Sequence, residues 1–404
     1  MTPVTHYLVN LTLDPPVQTI NAEVNLTMRP KTAANELLFL LHRDLEVSAL
    51  TAPGMLSFQR VDGLLAFPFT PEATTWQVRF SEPLLAGQEI TLLWRYQGHL
   101  PQPLCQPWEV NRLTPDWVEL GLYAPWFPWN PNDGMLTFEL DVRIPEAYGM
   151  AGMGAVEQVE PGHWRFRTTT PMNDMTIIAA PSLQQAGDRV GNATLRVRHV
   201  PGNDAAAIRA VVSDGLWVLK FYQDWFADRH EKQIDVVIAP RERGGGYARP
   251  GLIVLSELAE YPTDRLLAYI AHEFGHLWWT GSEVSTWEDW LNESFAEFAA
   301  VKAVGRKLGD AKRAATLERM RARLPGLPAI RGIDRQSEQA HGVLYTKGAV
   351  LLADLEERIG EEKMTELLRQ RLSRRVMDTA SFLRLLAEIA GEDTAEVFDN
   401  WLDS

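Results

Sequence analysis

His272 and His276 stand four residues apart in the stretch YIAHEFGHLWWTGSEVSTWEDWLNESFAEF, with Glu273 beside the first and a further acid, Glu293, after 16 intervening residues. A helix turns by about 100° per residue, so positions i and i+4 lie nearly one above the other, where two imidazoles can bind one metal ion. Zinc prefers nitrogen and oxygen ligands in a tetrahedral shell, and a catalytic site keeps one position for water. His272, His276 and Glu293 supply three such ligands. Glu273 cannot be a fourth if the two histidines share the ion, but its carboxylate reaches the water. Zinc brings that water's pKa toward about 7, and a neighbouring carboxylate can take its proton and pass it to a leaving amine. Glu297 lies on the same helical face as Glu293, where it could hold the outer nitrogen of a liganding histidine; a solvated surface acid is an equal reading. The rival for the whole pattern is a chance H-E-x-x-H on an apolar helix, its histidines merely buried and hydrogen-bonded.

The elements that must position these groups follow from periodicity. Thr263 and Asp264 can cap a helix DRLLAYIAHEFGHLWW that Gly281 stops, and Thr286 with Asp289 resembles a capping box opening WLNESFAEFAAVKAVGRKLG. A helix-turn-helix of this kind brings Glu293 to the metal. Upstream, DAAAIRAVVSDGLWVLKFYQDWFADRH has helical period, and QIDVVIAP and LIVLS read as buried strands either side of the loop RERGGGYARPG. Further helices are expected at SEQAHGVLYTKGAVLLADLEERIG, EEKMTELLRQRL and TASFLRLLAEIAG. Before Val200 the chain instead alternates apolar and polar residues in short segments such as HYLVNLTL, AEVNLTMR, EITLLWRYQG and LTFELDVRIP, punctuated by PP, PG, DG and GN. That pattern predicts antiparallel sheet with one buried face. The expected organisation is an N-terminal all-β domain over residues 1–198 and a mainly helical α+β domain over 199–404, joined in the polar, glycine-containing region between Gly187 and Gly202.

Bulk properties exclude several classes. A chain of 404 residues exceeds what one hydrophobic core usually organises. With 46% hydrophobic residues, 23% charged residues and no apolar run long enough to span a bilayer, no membrane partner is expected. A net charge of −14 argues against nucleic acid, whose recognition needs basic surface. The single Cys105 cannot form an internal disulfide, and the N-terminal residues lack a signal-like pattern, so a cytoplasmic location is expected.

H-E-x-x-H followed by W-L-N-E-S resembles the aminopeptidase N family of gluzincin zinc peptidases, which includes the leukotriene-hydrolase branch. The resemblance extends over nearly the whole chain. VELGLYAPWFPWNP, from Val118 to Pro131, is similar to the family's substrate-facing segment of the β-domain. GGYARPGL, from Gly245 to Leu252, stands where the family has its glycine-rich substrate strand, YTKG from Tyr345 to Gly348 matches its tyrosine motif, and FDNWLDS is similar to the close of its thermolysin-like domain. The resemblance implies a β-sandwich-like domain followed by a thermolysin-like catalytic domain, one Zn2+ per chain and a peptide substrate. It also implies that Tyr345 donates its hydroxyl to the oxyanion formed when water attacks a peptide carbonyl, a role that suits a fixed donor aimed at developing charge. Without the family, Tyr345 would read as a helix-core aromatic.

The chain departs from the family in three places. The spacing from His276 to Glu293 is two residues shorter than usual. The family strand G-x-M-E-N carries a Glu that grips the substrate's free amino terminus, whereas Gly245, Gly246, Tyr247, Ala248 and Arg249 offer no carboxylate. A methyl group cannot pair an ammonium, and Arg249 would repel one. Glu119 falls where the family has a second amine-binding Glu or Gln, so half of the recognition is expected to survive; an ordinary strand-edge acid is the alternative. The sequence also stops where larger relatives continue into a helical domain that roofs the site, which predicts an open groove, or one covered by a second copy in a dimer. The reading is thus a zinc metallopeptidase, an aminopeptidase with atypical recognition of the amino terminus. Its rivals are an endopeptidase or an exopeptidase for blocked amino termini and, from another class, a non-catalytic peptide-binding protein that kept the scaffold.

Overall fold

Period-two segments of the first half become three sheets around one core. Thr5–Asp14 buries Tyr7, Val9, Leu11 and Leu13 and turns the residues between them outward, as a pleated strand with one buried face must. It lies in the middle of a seven-stranded sheet ordered Ala155–Glu160, His163–Met172, Leu136–Arg143, Thr5–Asp14, Thr19–Met28, Ile90–His99, Glu46–Thr51. All neighbours in it run antiparallel except Thr5–Asp14 and Leu136–Arg143, which pair in parallel with Thr5 opposite Leu136. A three-stranded sheet (Ala34–His42, Ala73–Leu84, Met55–Val61) and a four-stranded one (Tyr148–Gly152, Ile177–Pro181, Val118–Leu120, Arg112–Leu113) share its core, which includes Phe39, Trp94, Trp117, Trp126 and Phe138. The computed structural model describes residues 4–61, 63–102, 104, 110–190, 193–226, 233–241, 245–256, 258 and 262–404, with the side chain of residue 190 left aside. Cys105 and the expected end of the first long helix, residues 227–230, lie outside these.

The fourth sheet joins the two halves. Its five strands run in the order Gln184–Val190, Ala193–His199, Gln233–Ile238, Leu252–Leu255, Tyr247–Arg249, the central three parallel. Helix α1 (Ala205–Trp225), N-capped by Asp204 through Ala206 N, makes the crossover between parallel strands. Both faces of this sheet are covered. Ile234, Val236, Ile238, Ile253 and Leu255 face the helical core, whereas Val237, Ala239, Leu252 and Val254 face the core of the N-terminal sheets. Double burial explains why these strands read as continuous apolar runs rather than alternating ones. The expected boundary falls within this sheet. Residue 198 lies inside Ala193–His199, and the hairpin from Gln184 to His199 hydrogen-bonds into the sheet of the C-terminal half. Alternation along a strand does not reveal which sheet it joins, because pairing is a contact distant in sequence.

The remainder is helical: α2 (Thr263–Gly275), α3 (Trp290–Leu308), α4 (Asp310–Arg321), α5 (Gly348–Ile359), α6 (Glu361–Ser373), α7 (Thr379–Ala390) and α8 (Glu392–Leu402). α4 is a helix that periodicity did not single out, since only Leu317 and Met320 of it are buried. α2 ends earlier than its sequence suggests. Instead of running to Gly281 it closes at Gly275, and His276 occupies the C-cap of a turn in which Trp278 N and Trp279 N both donate to Gly275 O. The chain then reaches a short 3-10 turn, Trp287–Asp289, that leads into α3. Thr286 Oγ1 accepts from Glu288 N there, while Asp289 turns instead toward Asn292 and Arg335. The helix expected from Ser337 to Gly360 is a turn, a π-helical stretch Gly342–Lys347, and α5. Two close approaches fix these helices about the site. A Cβ on Gly275 would sit 3.2 Å from Ala296 Cα, so the end of α2 lies directly against α3, and a Cβ on Gly348 would overlap the Ser294 side chain.

Candidate metal centre and active site

His272 comes from the last turn of α2, His276 from its C-cap, and Glu293 from the first turn of α3. Contact between Gly275 and Ala296 brings the three together. His272 Nε2 and His276 Nε2 are 3.2 Å apart, and Glu293 Oε2 lies 3.4 Å from the first and 3.2 Å from the second. A tetrahedral shell with bonds of about 2.0–2.2 Å places neighbouring ligands about 3.3–3.6 Å apart. The three atoms are therefore spaced as one face of a zinc coordination tetrahedron. The outer nitrogens are also engaged: Glu297 Oε2 is 2.9 Å from His272 Nδ1, and His276 Nδ1 is 3.0 Å from Trp279 O. A partner on Nδ1 fixes the ring's orientation and leaves Nε2 directed inward.

Charge in this cluster is balanced in favour of a cation. Burial works against both imidazolium forms, yet the carboxylates of Glu293 and Glu297 lift His272 well above the ordinary histidine range, and Glu293 raises His276. Burial likewise opposes the Glu293 carboxylate, but the two imidazoles hold it well below the usual range. Glu273, fully enclosed, is pushed upward by burial. Glu293 Oε2 has the two imidazole Nε2 atoms at 3.2–3.4 Å but no well-directed hydrogen bond, and Glu273 Oε2 finds no hydrogen-bond partner among the described residues. Buried carboxylate oxygens without donors are costly, and an ion bound by His272, His276 and Glu293 would satisfy the first of them. The donor set of two imidazoles and one carboxylate, with Glu273 alongside, fits zinc.

Tyr345 stacks over His272, ring centroids 5.4 Å apart and planes 19° from parallel, with His341 on its other side at 4.3 Å. Burial, and after it the Glu293 charge, push its hydroxyl well above the ordinary tyrosine range, so it stays a proton donor at neutral pH. It sits in the π-helical stretch, whose wide turn leaves carbonyls without their usual partners; Ser294 Oγ donates to one of them, Leu344 O, at 2.5 Å. Glu293's immediate neighbour thereby ties the tyrosine segment to α3. Arg335, paired with buried Asp289 at 2.7 Å, stands on the same side. Trp278, Trp279 and Trp290 are buried packing residues, and Trp290 Nε1 donates to Thr379 Oγ1.

The residues expected to meet the substrate's amino terminus are arranged differently from the sequence reading. Gly246 does reach the site: a Cβ there would stand 2.4 Å from Glu273 Oε1, so the strand Tyr247–Arg249 and the turn before it run past the acid at backbone distance. Gly245 takes φ +58°, a left-handed conformation suited to glycine. Tyr247 packs toward the N-terminal core, against Tyr123 at 6.3 Å, and Ala248 toward the helical core, as alternation along a strand requires. Arg249 does not stand in the groove as a repelling charge. Its Nε donates to buried Asp174 Oδ2 at 3.1 Å, its Nη1 to Ala248 O, and its guanidinium lies over the rings of Tyr123 and Tyr247. Asp174 in turn accepts from Leu122 N, Met175 N and Thr176 Oγ1. Glu119, which was expected to be reachable by an amine, is 0% exposed and faces Trp117 and Arg241. Sequence reasoning missed Arg241, Asp174 and Arg335. Each is a charged residue in a loop or strand end whose buried partner lies far away in sequence, and only the flanking of Arg241 by an apolar strand and a glycine run hinted at a structural task.

Residues 217–401 match the family described as Peptidase family M1 domain. The chain is 23% identical over 296 residues to probable aminopeptidase 1 of Saccharolobus solfataricus, covering 66% of this chain and 38% of that protein. It is also 23% identical over 308 residues to aminopeptidase N of Streptomyces lividans, covering 66% and 35%. The chain thus spans little more than a third of the length of these curated relatives. The fold is similar to the crystal structure of an M1 zinc metallopeptidase from Deinococcus radiodurans, with a TM-score of 0.76 at 21% identity over 99% of this chain and 94% of that one.

Proposed function

We propose that the chain is a member of peptidase family M1, the aminopeptidase N family, whose model matches residues 217–401, and that it is a zinc-dependent metallopeptidase, an aminopeptidase with atypical recognition of the amino terminus. The observation that carries this reading is the convergence of His272 Nε2, His276 Nε2 and Glu293 Oε2 at 3.2–3.4 Å beside an enclosed Glu273. In this reading the helical half is the thermolysin-like catalytic domain of a gluzincin, beginning with the hairpin at Gln184. His272, His276 and Glu293 would hold the zinc ion, which when bound would supply Lewis acidity and lower the pKa of a water toward neutrality. Glu273 takes the proton of the attacking water and delivers it to the leaving amine; its upward-shifted carboxyl suits a group that must both accept and release a proton. The Tyr345 hydroxyl donates to the oxygen that gains charge as the carbonyl carbon becomes tetrahedral. Glu297 and Trp279 O orient the two imidazoles.

Cleavage from the amino terminus is supported by the relatives' names and by a Deinococcus radiodurans structure bound to the peptide Tyr-Ser-Ala. No helix among the described residues is long and apolar enough to cross a membrane, and a cytoplasmic setting belongs to the same reading. The test is metal analysis of the purified protein together with peptide turnover before and after chelation. One zinc per chain, loss of turnover with chelator and recovery with added zinc are expected. Protein that takes up no zinc, or turnover indifferent to the chelator, overturns the reading.

A further inference from the structure

The carboxylate of Glu119 is paired from within the protein. Glu119, on Val118–Leu120, and Arg241, which follows Gln233–Ile238, have side chains 0% exposed, with Glu119 Oε1 3.5 Å from Arg241 Nη2. Glu119 Oε2 accepts from Trp117 Nε1 at 3.0 Å. The same guanidinium donates through Nη1 to Gly245 O at 2.6 Å. Gly245 precedes the residue that lies against Glu273. One arginine therefore joins a strand of the N-terminal sheets to the turn lining the catalytic acid. A third charge approaching a buried carboxylate already paired with a guanidinium meets a nearly neutral group. A substrate ammonium could reach Glu119 only by displacing Arg241, which would free the Gly245 carbonyl and break a buried ion pair. Neither remaining side chain on the strand replaces it: Ala248 has no charge, and Arg249 is taken up by Asp174.

We infer that Arg241 is a positioning and specificity-determining residue: it withdraws Glu119 from amine recognition and holds the Gly245–Gly246 turn against Glu273, so the substrate's amino terminus is received without a buried counter-charge. This rests on the metallopeptidase reading and supplies the physical basis of its atypical recognition. The experiment uses the zinc-loaded full chain and compares kcat/KM for one tripeptide with its N-acetylated form. In the wild type the preference for the free amine is modest. R241M releases Glu119 to pair with the ammonium and raises the free-to-acetylated ratio about tenfold or more. E119Q removes the Glu119 charge that faces Arg241 and lowers the ratio, and E119Q/R241M returns it to within about threefold of the wild type. A purely structural pair would lower both substrates in parallel and leave the ratio unmoved; that result, or a wild-type preference above about a thousandfold, overturns the inference. Should R241M fail to fold, A248E answers the same question by placing a carboxylate beside the turn: a raised ratio supports a missing counter-charge, and an unchanged ratio refutes it. Zinc-loaded wild type that cleaves neither peptide overturns the metallopeptidase reading itself, and this inference with it.

Discussion

Two clusters of buried charge lie side by side in this molecule and are built on opposite plans. At the α2–α3 contact, Glu293 Oε2 meets the Nε2 atoms of His272 and His276 at 3.2–3.4 Å, so that all three donor atoms point toward a common centre, with Glu273 alongside. Along the glycine-rich strand, Glu119 is answered by Arg241 and Asp174 by Arg249. The first cluster has the donor set and spacing to hold an ion; the second is built of ion pairs within the protein. Burial by itself therefore does not mark a binding group. What distinguishes the two is that three donor atoms of the first cluster converge with the spacing of metal ligands, whereas the second pairs each carboxylate with a guanidinium.

Substitutions can break or sharpen this contrast, and the largest effect belongs to the open cluster. E273Q keeps the shape of the carboxyl but cannot carry a proton, so kcat/KM for peptide hydrolysis should fall by about 10²–10⁴-fold with zinc content unchanged; retained turnover at full zinc occupancy would remove Glu273 from the proposed chemistry. Y345F deletes one donor to developing charge and should cost about 10²–10³ in kcat with KM little altered, a split visible in steady-state kinetics. E297Q weakens the orientation of His272 and should reduce zinc affinity about 10–100-fold, measured by competition with a chelator of known affinity. In the closed cluster the effect moves from chemistry to stability. D174N leaves the Arg249 cation buried without its partner, for a cost of about 3–5 kcal/mol in denaturant unfolding, while zinc content stays at one per chain. A D174N enzyme that is fully stable but loses zinc would erase the distinction between the clusters.

The open cluster was legible in the sequence because its spacing is local. Four residues on one helix set His272 against His276, and a second amphipathic run places Glu293 and Glu297 on one face four residues apart. Even so, the details of the connection were not. α2 stops at Gly275 because the His276 turn hands its hydrogen bonds back to Gly275 and engages Trp279 O, which is how a connection of 16 residues still delivers Glu293 to the histidines. The closed cluster was misread where its partners are remote. Arg249 looked like a charge facing the substrate, yet its partner Asp174 is 75 residues away in sequence. Glu119 looked like a free acid for the same reason. The pairing of the strand Ala193–His199, on which the expected boundary at residue 198 falls, with Gln233–Ile238 across a helical crossover was likewise not visible in the sequence.

From the sequence alone came the grouping of His272, His276 and Glu293, their helical spacing, the acid beside them, a β-rich half followed by a helical half, and the absence of a carboxylate at Ala248. These are properties of composition and of contacts within a few turns of chain, where periodicity determines which side chains share a face. Only the tertiary structure decided that Glu119 and Arg249 are spent on internal partners, that Arg241 spans the two halves, and that Tyr345 lies over His272 from a π-helical turn. Each of these depends on which distant segments pack together, and on the rule that a buried charge takes the nearest opposite charge the fold brings to it.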